Sequence, residues 1–193
     1  MKGREVALIT GASMGIGEEL ARIFAAEGRD VVLVARSEHK LRSLGKELED
    51  AHGITAHVVP ADLTDPSAPA NIFASLGGKG LQLDYLVNNA GFGAQGAVAA
   101  LPLQLQINML RVNVEALVTL THLALPGMLA RKKGRILNIA SLAGFQPGPD
   151  MSMYYATKAF VLMFSEGIAE EVKGSGVTVT VQCPGAVATN FGE

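Results

Sequence analysis

The chain has 193 residues, 49% of them hydrophobic and 18% charged, and its 16 Lys and Arg against 18 Asp and Glu give a formal charge of −2. This length fits a single domain over residues 1–193, because a domain of this size buries roughly 70% of its unfolded surface. The weakly acidic charge excludes long-range attraction to nucleic acid or anionic lipid. The single Cys183 excludes an intramolecular disulfide, and the four histidines show no metal-ligand spacing, so no metal site is predicted.

The apolar patterning also bears on where the chain works. No apolar run approaches the roughly 20 residues that span a bilayer, and the first residues lack the apolar segment of a secretion signal. We therefore expect a cytoplasmic protein that does not enter a membrane.

Short β-branched or apolar runs alternate with helical patterns along the chain. The predicted strands cover residues 6–10, 31–35, 55–59, 85–88, 135–140 and 177–183. The predicted helices cover residues 16–27, 38–50, 103–129 with an interruption at Pro126-Gly127, and 154–173. This alternation predicts an α/β fold with a parallel sheet between two helical layers. Ligands of such sheets bind beyond the carboxyl ends of the strands, so the residues after each strand are the candidates for chemistry.

A glycine-rich turn follows the first predicted strand and opens directly into a helix. Residues 10–17 read Thr-Gly-Ala-Ser-Met-Gly-Ile-Gly. Gly11 suits a tight turn, Gly15 allows a pyrophosphate to come close, and Gly17 allows the helix to pack on the strand. The unpaired N–H groups of the helix N-terminus favour such an anion. The turn therefore predicts a dinucleotide site or, alternatively, a plain strand-to-helix connection; its residues are Gly11, Ser13, Met14, Gly15, Ile16 and Gly17.

The exit of the second strand bears on the choice of cofactor. Arg36 lies 19 residues after Gly17, where an acidic residue would bind a ribose 2′-hydroxyl. Arg36 and Ser37 instead offer a guanidinium and a hydroxyl, which suit a 2′-phosphate and favour NADP over NAD. The alternative for Arg36 is a solvated side chain in a surface loop.

Two further strand exits carry candidate cofactor contacts. Asp62 and Leu63 follow the third strand, where Asp62 either holds an adenine amino group or forms a turn. Small residues and amides after the fourth strand suit a backbone that bends beside a ribose, and Asn88 is also expected to stabilise the end of the sheet. The cofactor candidates there are Asn89, Ala90 and Gly91.

Tyr154 and Lys158 form the candidate acid/base pair. They are four residues apart in a helical pattern and so share one face. A Lys ammonium near a phenol stabilises the phenolate and lowers the tyrosine pKa from about 10, as an acid/base role at neutral pH requires. Ser141 leaves the fifth strand, where its hydroxyl is placed to share a substrate oxygen with Tyr154. An ordinary exposed helix pair is the alternative for Tyr-x-x-x-Lys alone.

Taken in order, residues 10–17, 88–91, Ser141, 154–158 and Pro184-Gly185 resemble the short-chain dehydrogenase/reductase family over essentially the whole chain. The resemblance implies a Rossmann-type doubly wound sheet, three layers deep, that binds a nicotinamide dinucleotide. It also implies that Ser141 and Tyr154 polarise a carbonyl or alcohol oxygen. Lys158 would hold the nicotinamide ribose and depress the Tyr154 pKa, and both Tyr154 and Lys158 would contact the cofactor.

The resemblance implies further roles. Asn113 matches the helix asparagine that supports a water-linked proton relay, and the loop that meets the nicotinamide amide would contribute Pro184, Gly185, Val187 and Thr189. Met14 departs from the basic residue that many NADP-binding members carry. Members normally continue through a substrate-covering helical segment and another strand, which are expected to be absent from this chain. The resemblance also implies a homodimer or homotetramer.

The sequence thus predicts an NADP(H)-dependent oxidoreductase that passes a hydride between the cofactor and a small-molecule carbonyl or secondary alcohol. Loops 92–101 and 143–153 are expected to line its substrate pocket, without indicating which substrate binds. A dinucleotide-binding module without useful catalysis and a purely structural domain are the alternative hypotheses.

Overall fold

Six parallel strands form one sheet in the computed structural model, which describes residues 4–185. The strands are β1 (Val6–Thr10), β2 (Asp30–Ala35), β3 (Ala56–Pro60), β4 (Tyr85–Asn88), β5 (Gly134–Ile139) and β6 (Val177–Gln182). Their spatial order is β3-β2-β1-β4-β5-β6, which is that of a Rossmann-type doubly wound sheet. The predicted fold is confirmed, and each predicted strand boundary lies within one residue of the observed one.

Helices connect consecutive strands. They are α1 (Gly15–Ala26), α2 (Glu38–His52), α3 (Ala68–Gly78), α4 (Leu103–Leu110), α5 (Ala116–Ala130) and α6 (Ser152–Glu171). A π-helical segment, Arg111–Glu115, joins α4 to α5, and a 3₁₀ helix, Leu142–Phe145, follows β5. The sequence analysis missed α3, because its small residues and two terminal glycines leave only Ile72 and Leu76 as fully buried large apolar positions.

The predicted interruption at Pro126-Gly127 is wrong. α5 continues through Pro126 to Ala130. A proline inside a helix removes one N–H and crowds the carbonyl four residues earlier, here that of His122. His122 and Pro126 are both exposed, so water can donate to the His122 carbonyl in place of the missing backbone N–H. The irregular segment lies instead at Arg111–Glu115, where the backbone is π-helical.

The continuous helical run Leu103–Ala130 bears on the expectation about apolar length. Its 28 residues are long and apolar enough to cross a membrane by length and composition alone. A buried core helix meets the same test. In this fold Leu117, Leu120, Ala124 and Met128 of the run are buried against the sheet.

The core lies on both faces of the sheet because alternate residues of each strand point to opposite sides. Leu8 of β1 packs with residues of α3 and α5, including Ile72 and Leu120. Its neighbour Ile9 packs on the other face with residues of α1 and α2, including Leu41. This arrangement gives the three layers and leaves the carboxyl ends of the strands free at one edge.

A cluster of charged side chains lies at the opposite edge of the sheet, where the strands begin. The Glu5 carboxylate accepts from Lys133 Nζ at 2.6 Å, Arg29 Nε at 3.1 Å and the Tyr85 hydroxyl at 2.9 Å. Lys133 also pairs with Asp84 at 3.1 Å. The hydrogen bond from Lys133 is the main cause that lowers the pKa of Glu5 to about 2, against the opposing effect of burial. The ionised carboxylate therefore stabilises the folded chain.

Replacing Glu5 with Gln should lower the free energy of unfolding at pH 7 by about 1–2 kcal/mol. This value allows for the screening of the carboxylate by water, because one third of the side chain is exposed. A lowered folded-state pKa gives stability that is present above pH 4.5 and is lost as the pH falls towards about 2. Urea unfolding should thus show a clear difference between the two proteins at pH 7 and a smaller difference at pH 3, between the two pKa values. The control Glu170→Gln, in an exposed pair with Lys173, should match the unchanged chain; an equal loss in both variants contradicts the assignment.

Candidate active site

A cavity of about 670 Å³ lies beyond the carboxyl ends of the strands. The predicted site residues that line it are Gly11, Ser13, Met14, Gly15, Ile16, Arg36, Ser37, Asp62, Leu63, Asn89, Ala90, Gly91, Ser141, Tyr154, Lys158, Pro184 and Gly185. Gly17 and Asn113 are not among its lining residues and are buried close behind it. Val187 and Thr189 lie outside the described residues. The fold therefore brings the separate sequence candidates to one place.

The glycine-rich turn follows β1 and begins α1 at Gly15. Gly11 and Gly15 adopt positive φ angles of 68° and 58°, which residues with a Cβ rarely adopt. A Cβ on Gly17 would collide with the Gly11 carbonyl and the Asn89 side chain. The turn is consequently closed against the sheet, while its outer side and the start of α1 face the cavity.

Thr10 and Asn89 hold this turn to the end of β4. The Thr10 hydroxyl accepts from the backbone N–H groups of Asn89 and Ala90, each at 3.0 Å. The Asn89 side chain donates to the Thr10 carbonyl at 2.9 Å. Asn89 thus contributes to the cavity by fixing the backbone at Thr10, where the glycine-rich turn begins. The sequence analysis missed Thr10, whose only signal is a hydroxyl residue at the end of a buried strand.

Ser141, Tyr154 and Lys158 meet where β5 ends and α6 begins. The hydroxyls of Ser141 and Tyr154 are hydrogen-bonded to each other. The Ser141 hydroxyl also accepts from the Ala143 N–H at 3.1 Å, which fixes its orientation at the start of the 3₁₀ helix. Lys158 Nζ lies 5.8 Å from the centre of the Tyr154 ring and donates to the Ile139 carbonyl at 2.9 Å. This geometry presents two hydroxyls to the cavity above a buried ammonium.

Burial dominates the proton affinities at this position. It raises the pKa of Tyr154, against the opposing effect of the hydrogen bond from Ser141. It lowers the pKa of Lys158 to about 8, because only 4% of this residue is exposed. The expectation that Lys158 lowers the Tyr154 pKa is therefore wrong for this geometry. The ammonium lies beside the ring and donates to Ile139, and desolvation of the phenol is the larger effect.

Asn113 lies in the π-helical segment and is 2% exposed. Its side-chain oxygen accepts from the Phe92 N–H at 3.0 Å, and its amide donates to the Phe92 carbonyl at 2.9 Å and the Thr157 hydroxyl at 3.0 Å. A Cβ on Gly91 would lie 3.2 Å from Asn113 Oδ1 and 3.3 Å from Lys158 Nζ. Asn113 thus fixes the loop after β4 against α6, directly beside Lys158.

The other end of the cavity lies at the exits of β2 and β3. Arg36 is exposed there, and Ser37 occupies the N-cap position of α2 without a side-chain capping bond. Asp62 accepts from the N–H and hydroxyl of Thr64, each at 2.9 Å, so one carboxylate oxygen closes a turn as in the structural alternative. This end is more polar than the Ser141 end.

The wall near Ser141 and Tyr154 contains residues that the sequence analysis did not assign. They are Phe92, Leu142, Ala143, Gln146, Met151 and Tyr155. Four of them, Phe92, Ala143, Gln146 and Met151, belong to the two loops that were expected to line the pocket, and Leu142 and Tyr155 are the immediate neighbours of Ser141 and Tyr154. A Cβ on Gly93 would lie 3.1 Å from the Tyr154 ring, so this loop also supports the tyrosine.

Comparisons with known proteins fit this geometry. Residues 5–193 match the family model described as short chain dehydrogenase. The chain is 37% identical over 191 residues to the very-long-chain 3-oxoacyl-CoA reductase of Anas platyrhynchos, covering 96% of this chain and 60% of that protein. It thus spans about 60% of the length of such curated relatives.

Two solved structures are similar over nearly the whole chain. A short-chain dehydrogenase from Sphingobium yanoikuyae in complex with NADPH has a TM-score of 0.92 and 37% identity, covering 97% of this chain and 73% of its own. L-sorbose reductase from Gluconobacter frateurii, complexed with NADPH and L-sorbose, has a TM-score of 0.91 and 34% identity, covering 97% and 72%.

Replacing Lys158 with Met should raise the free energy of unfolding at pH 7 by about 2 kcal/mol, because a buried ammonium is removed and only one hydrogen bond is lost. A folded-state pKa of about 8, below the ordinary 10.5, penalises folding below pH 8, and the penalty disappears as the pH rises towards 10.5. Urea unfolding should therefore show a stabilisation that shrinks from pH 8 to pH 10. The exposed control Lys173→Met should show no such pH dependence, and a destabilised K158M chain contradicts the burial argument.

Proposed function

The chain belongs to the short-chain dehydrogenase/reductase family, and from that premise we propose that it holds the cofactor and the catalytic groups of an NADP(H)-dependent oxidoreductase acting on a carbonyl or secondary alcohol. The observation that carries the proposal is the hydrogen-bonded pair of hydroxyls, Ser141 and Tyr154, above the buried Lys158. All three line one cavity together with the glycine-rich turn. Carbonyl chemistry needs just such a proton donor next to a site for a hydride carrier.

The turn fits the pyrophosphate of a dinucleotide. Gly11 and Gly15 have backbone angles that keep side chains away, and the N-terminus of α1 faces the cavity. Arg36, exposed at the exit of β2, is the residue we propose for the 2′-phosphate. NADP, when bound, supplies or accepts the hydride. The NADPH complexes of the two similar structures support this choice of cofactor.

Tyr154 is the proposed proton donor in the direction of reduction. Its raised pKa keeps the phenol protonated at neutral pH, and its hydroxyl faces the cavity beside Ser141. The Ser141 hydroxyl already accepts from Ala143, so its own proton is directed to Tyr154 or to a substrate oxygen. Two donors aimed at one oxygen would stabilise the negative charge that develops there as the carbonyl is reduced.

Lys158 and Asn113 have the supporting roles in the proposal. Lys158 carries a positive charge close to the Tyr154 ring and to Gly91, where the missing side chain leaves room for ribose hydroxyls. Asn113 fixes the backbone of Phe92 and the Thr157 hydroxyl, which keeps the wall of the cavity at a constant distance from Lys158. Its part in a water-linked proton relay stays a prediction.

A homodimer or homotetramer also stays a proposal, supported by exposed apolar side chains on two helices. Phe160 and Met163 of α6 are 41% and 59% exposed, and Leu103 and Leu110 of α4 are 73% and 37% exposed. Apolar surface of this kind favours association between copies. The cytoplasmic location likewise remains a prediction.

Replacing Tyr154 with Phe should lower the rate of NADPH-dependent carbonyl reduction by about 10²–10⁴-fold, because the ring remains and only the proton donor is lost. NADPH binding, measured by nucleotide fluorescence, should change by less than threefold. The matched control is Tyr155→Phe, which lies in the same cavity wall and should retain the rate. Turnover by Tyr154→Phe equal to that of the unchanged chain would contradict the mechanism.

Tight NADPH binding with no turnover of any carbonyl by the unchanged chain would favour the second candidate, a dinucleotide-binding module.

Replacing Arg36 with Ala should weaken NADPH binding by about tenfold and leave NADH binding unchanged, since only NADPH carries a 2′-phosphate. The control Arg42→Ala removes another arginine near the start of α2, which pairs with Glu38 at 2.8 Å. It should leave both affinities unchanged. Equal weakening of the two nucleotides by Arg36→Ala would contradict a phosphate contact. Equilibrium titration of each variant with both nucleotides gives the answer.

A further inference from the structure

The two ends of the cavity differ in the charge of the side chains that line them. Among the described residues of the lining, the charged side chains are Arg36, Asp62 and Lys158. Arg36 and Asp62 lie at the exits of β2 and β3, far from Ser141. Lys158 is buried and donates to a backbone carbonyl, so its ammonium already has a partner. Within residues 4–185, the wall around the hydroxyls of Ser141 and Tyr154 therefore presents no exposed charge to a substrate.

Uncharged polar side chains are also few at this end. The hydroxyls of Ser141 and Tyr154 are assigned to the reacting oxygen in the proposed function. Apart from these two, the polar side chains that line this end in the described part of the chain are those of Gln146 and Tyr155. A sugar or another polyol would leave most of its hydroxyls without a side-chain partner here, and a buried polar group without a partner weakens binding. The site thus disfavours polyhydroxylated substrates.

Large apolar side chains form much of this wall. Leu142 follows Ser141 directly, lines the cavity and is 57% exposed, and Phe145, at the end of the same 3₁₀ helix, is 63% exposed. Phe92, from the loop after β4, and Met151, immediately before α6, also line the cavity. Three segments thus contribute apolar surface next to the two hydroxyls, and at Leu142 this surface is open to solvent.

Hydrogen bonds fix the backbone beneath these side chains. The Leu142 N–H donates to the Pro184 carbonyl at 3.0 Å, and a Cβ on Gly185 would lie 3.4 Å from Leu142 Cδ1. The Gly96 N–H donates to the Asp150 carbonyl at 2.6 Å, which joins the loop after β4 to the loop before α6. The apolar wall is therefore preformed, and a substrate that covers it loses little free energy to ordering of the protein.

We propose that the substrate is a ketone with an apolar alkyl arm and without charge near the carbonyl, and that Leu142 selects it by contact with that arm. This inference rests on the proposed function, because the ketone must meet Ser141 and Tyr154 to react. The ketone carbon accepts the hydride of NADPH and its oxygen receives the Tyr154 proton, which solvent replaces, so the products are NADP⁺ and a secondary alcohol. Each methylene group of the arm that is removed from water should improve binding by about fourfold.

The test measures kcat/KM for the NADPH-dependent reduction of four ketones by the full 193-residue chain. The ketones are 2-decanone, 2-hexanone, 5-oxohexanoate, which has a carboxylate in place of the terminal methyl group of 2-hexanone, and L-erythrulose, an open-chain polyhydroxy ketone. We expect kcat/KM to rise by at least about tenfold from 2-hexanone to 2-decanone, because the longer arm covers more apolar surface. The values for 5-oxohexanoate and L-erythrulose should lie at least about tenfold below that for 2-hexanone, because this wall offers no exposed cation and few partners for hydroxyls.

Variants at Leu142 test its role in selection. Leu142→Ser should lower the ratio of kcat/KM for 2-decanone to that for 2-hexanone by about five- to tenfold, mainly by raising KM for 2-decanone, because apolar contact in the bound state is lost. Comparing two ketones in one variant cancels any effect on NADPH binding. Leu142→Met should retain the ratio, because an apolar side chain of similar volume remains. The matched control Leu129→Ser, at an exposed leucine near the end of α5 that does not line the cavity, should leave both values unchanged.

The outcomes separate this inference from the proposed function. Faster reduction of 5-oxohexanoate or L-erythrulose than of 2-hexanone overturns the apolar substrate class and leaves the oxidoreductase standing. An unchanged ratio between the two alkyl ketones in Leu142→Ser overturns the role of Leu142. If NADPH binds and none of the four ketones is reduced, the inference and the proposed oxidoreductase fail together, and the dinucleotide-binding module is favoured.

Discussion

The hydroxyl of Thr10 holds together the two strand ends on which the site depends. It accepts from the N–H groups of Asn89 and Ala90 and donates to the Val87 carbonyl at 3.3 Å, so β1 and β4 end at a fixed separation. These two strands are neighbours at the point where the sheet order reverses, with β2 and β3 on one side and β5 and β6 on the other. A crevice opens at such a point because successive connections leave for opposite faces. The cavity is therefore a consequence of topology, and Thr10 ties together the two strand ends beside it.

A chain of buried polar groups fixes the helices beside that crevice. The Asn88 amide donates to Thr121 at 3.1 Å and to Asn138 at 2.9 Å, and Asn138 donates to Ser165 at 2.8 Å. The chain joins α5, β4, β5 and α6, and its members are all at most 3% exposed. These buried hydrogen bonds form in one arrangement and so specify how α6 lies on β5, although Asn88 Oδ1 has no hydrogen-bond partner in the described part of the chain. That placement brings the first turn of α6 to Ser141. Hydrogen bonds are directional, so they fix the position of α6 more narrowly than apolar contacts alone.

The sequence predicted what local patterns encode. Alternation and glycine spacing were enough for the six strands, for four of the five helical connections in outline, and for the strand exits that line the cavity. They could not reveal α3, whose residues are mostly small, or the continuation of α5 through Pro126, which depends on solvent exposure. The direction of the Tyr154 pKa depends on how deeply α6 places the phenol, and that depth follows from packing between distant segments.

The two ends of the cavity use positive charge in opposite ways. Lys158 is buried with a carbonyl as its partner, so its charge is costly, its pKa is low and its field on nearby groups is weakly screened. Arg36 is exposed, where charge costs little but solvent and salt weaken each contact. A single exposed cation contributes only modestly to binding for that reason. Burial thus lets the Lys158 charge act strongly on its immediate neighbours, whereas the charge of an exposed side chain such as Arg36 is screened by water and salt.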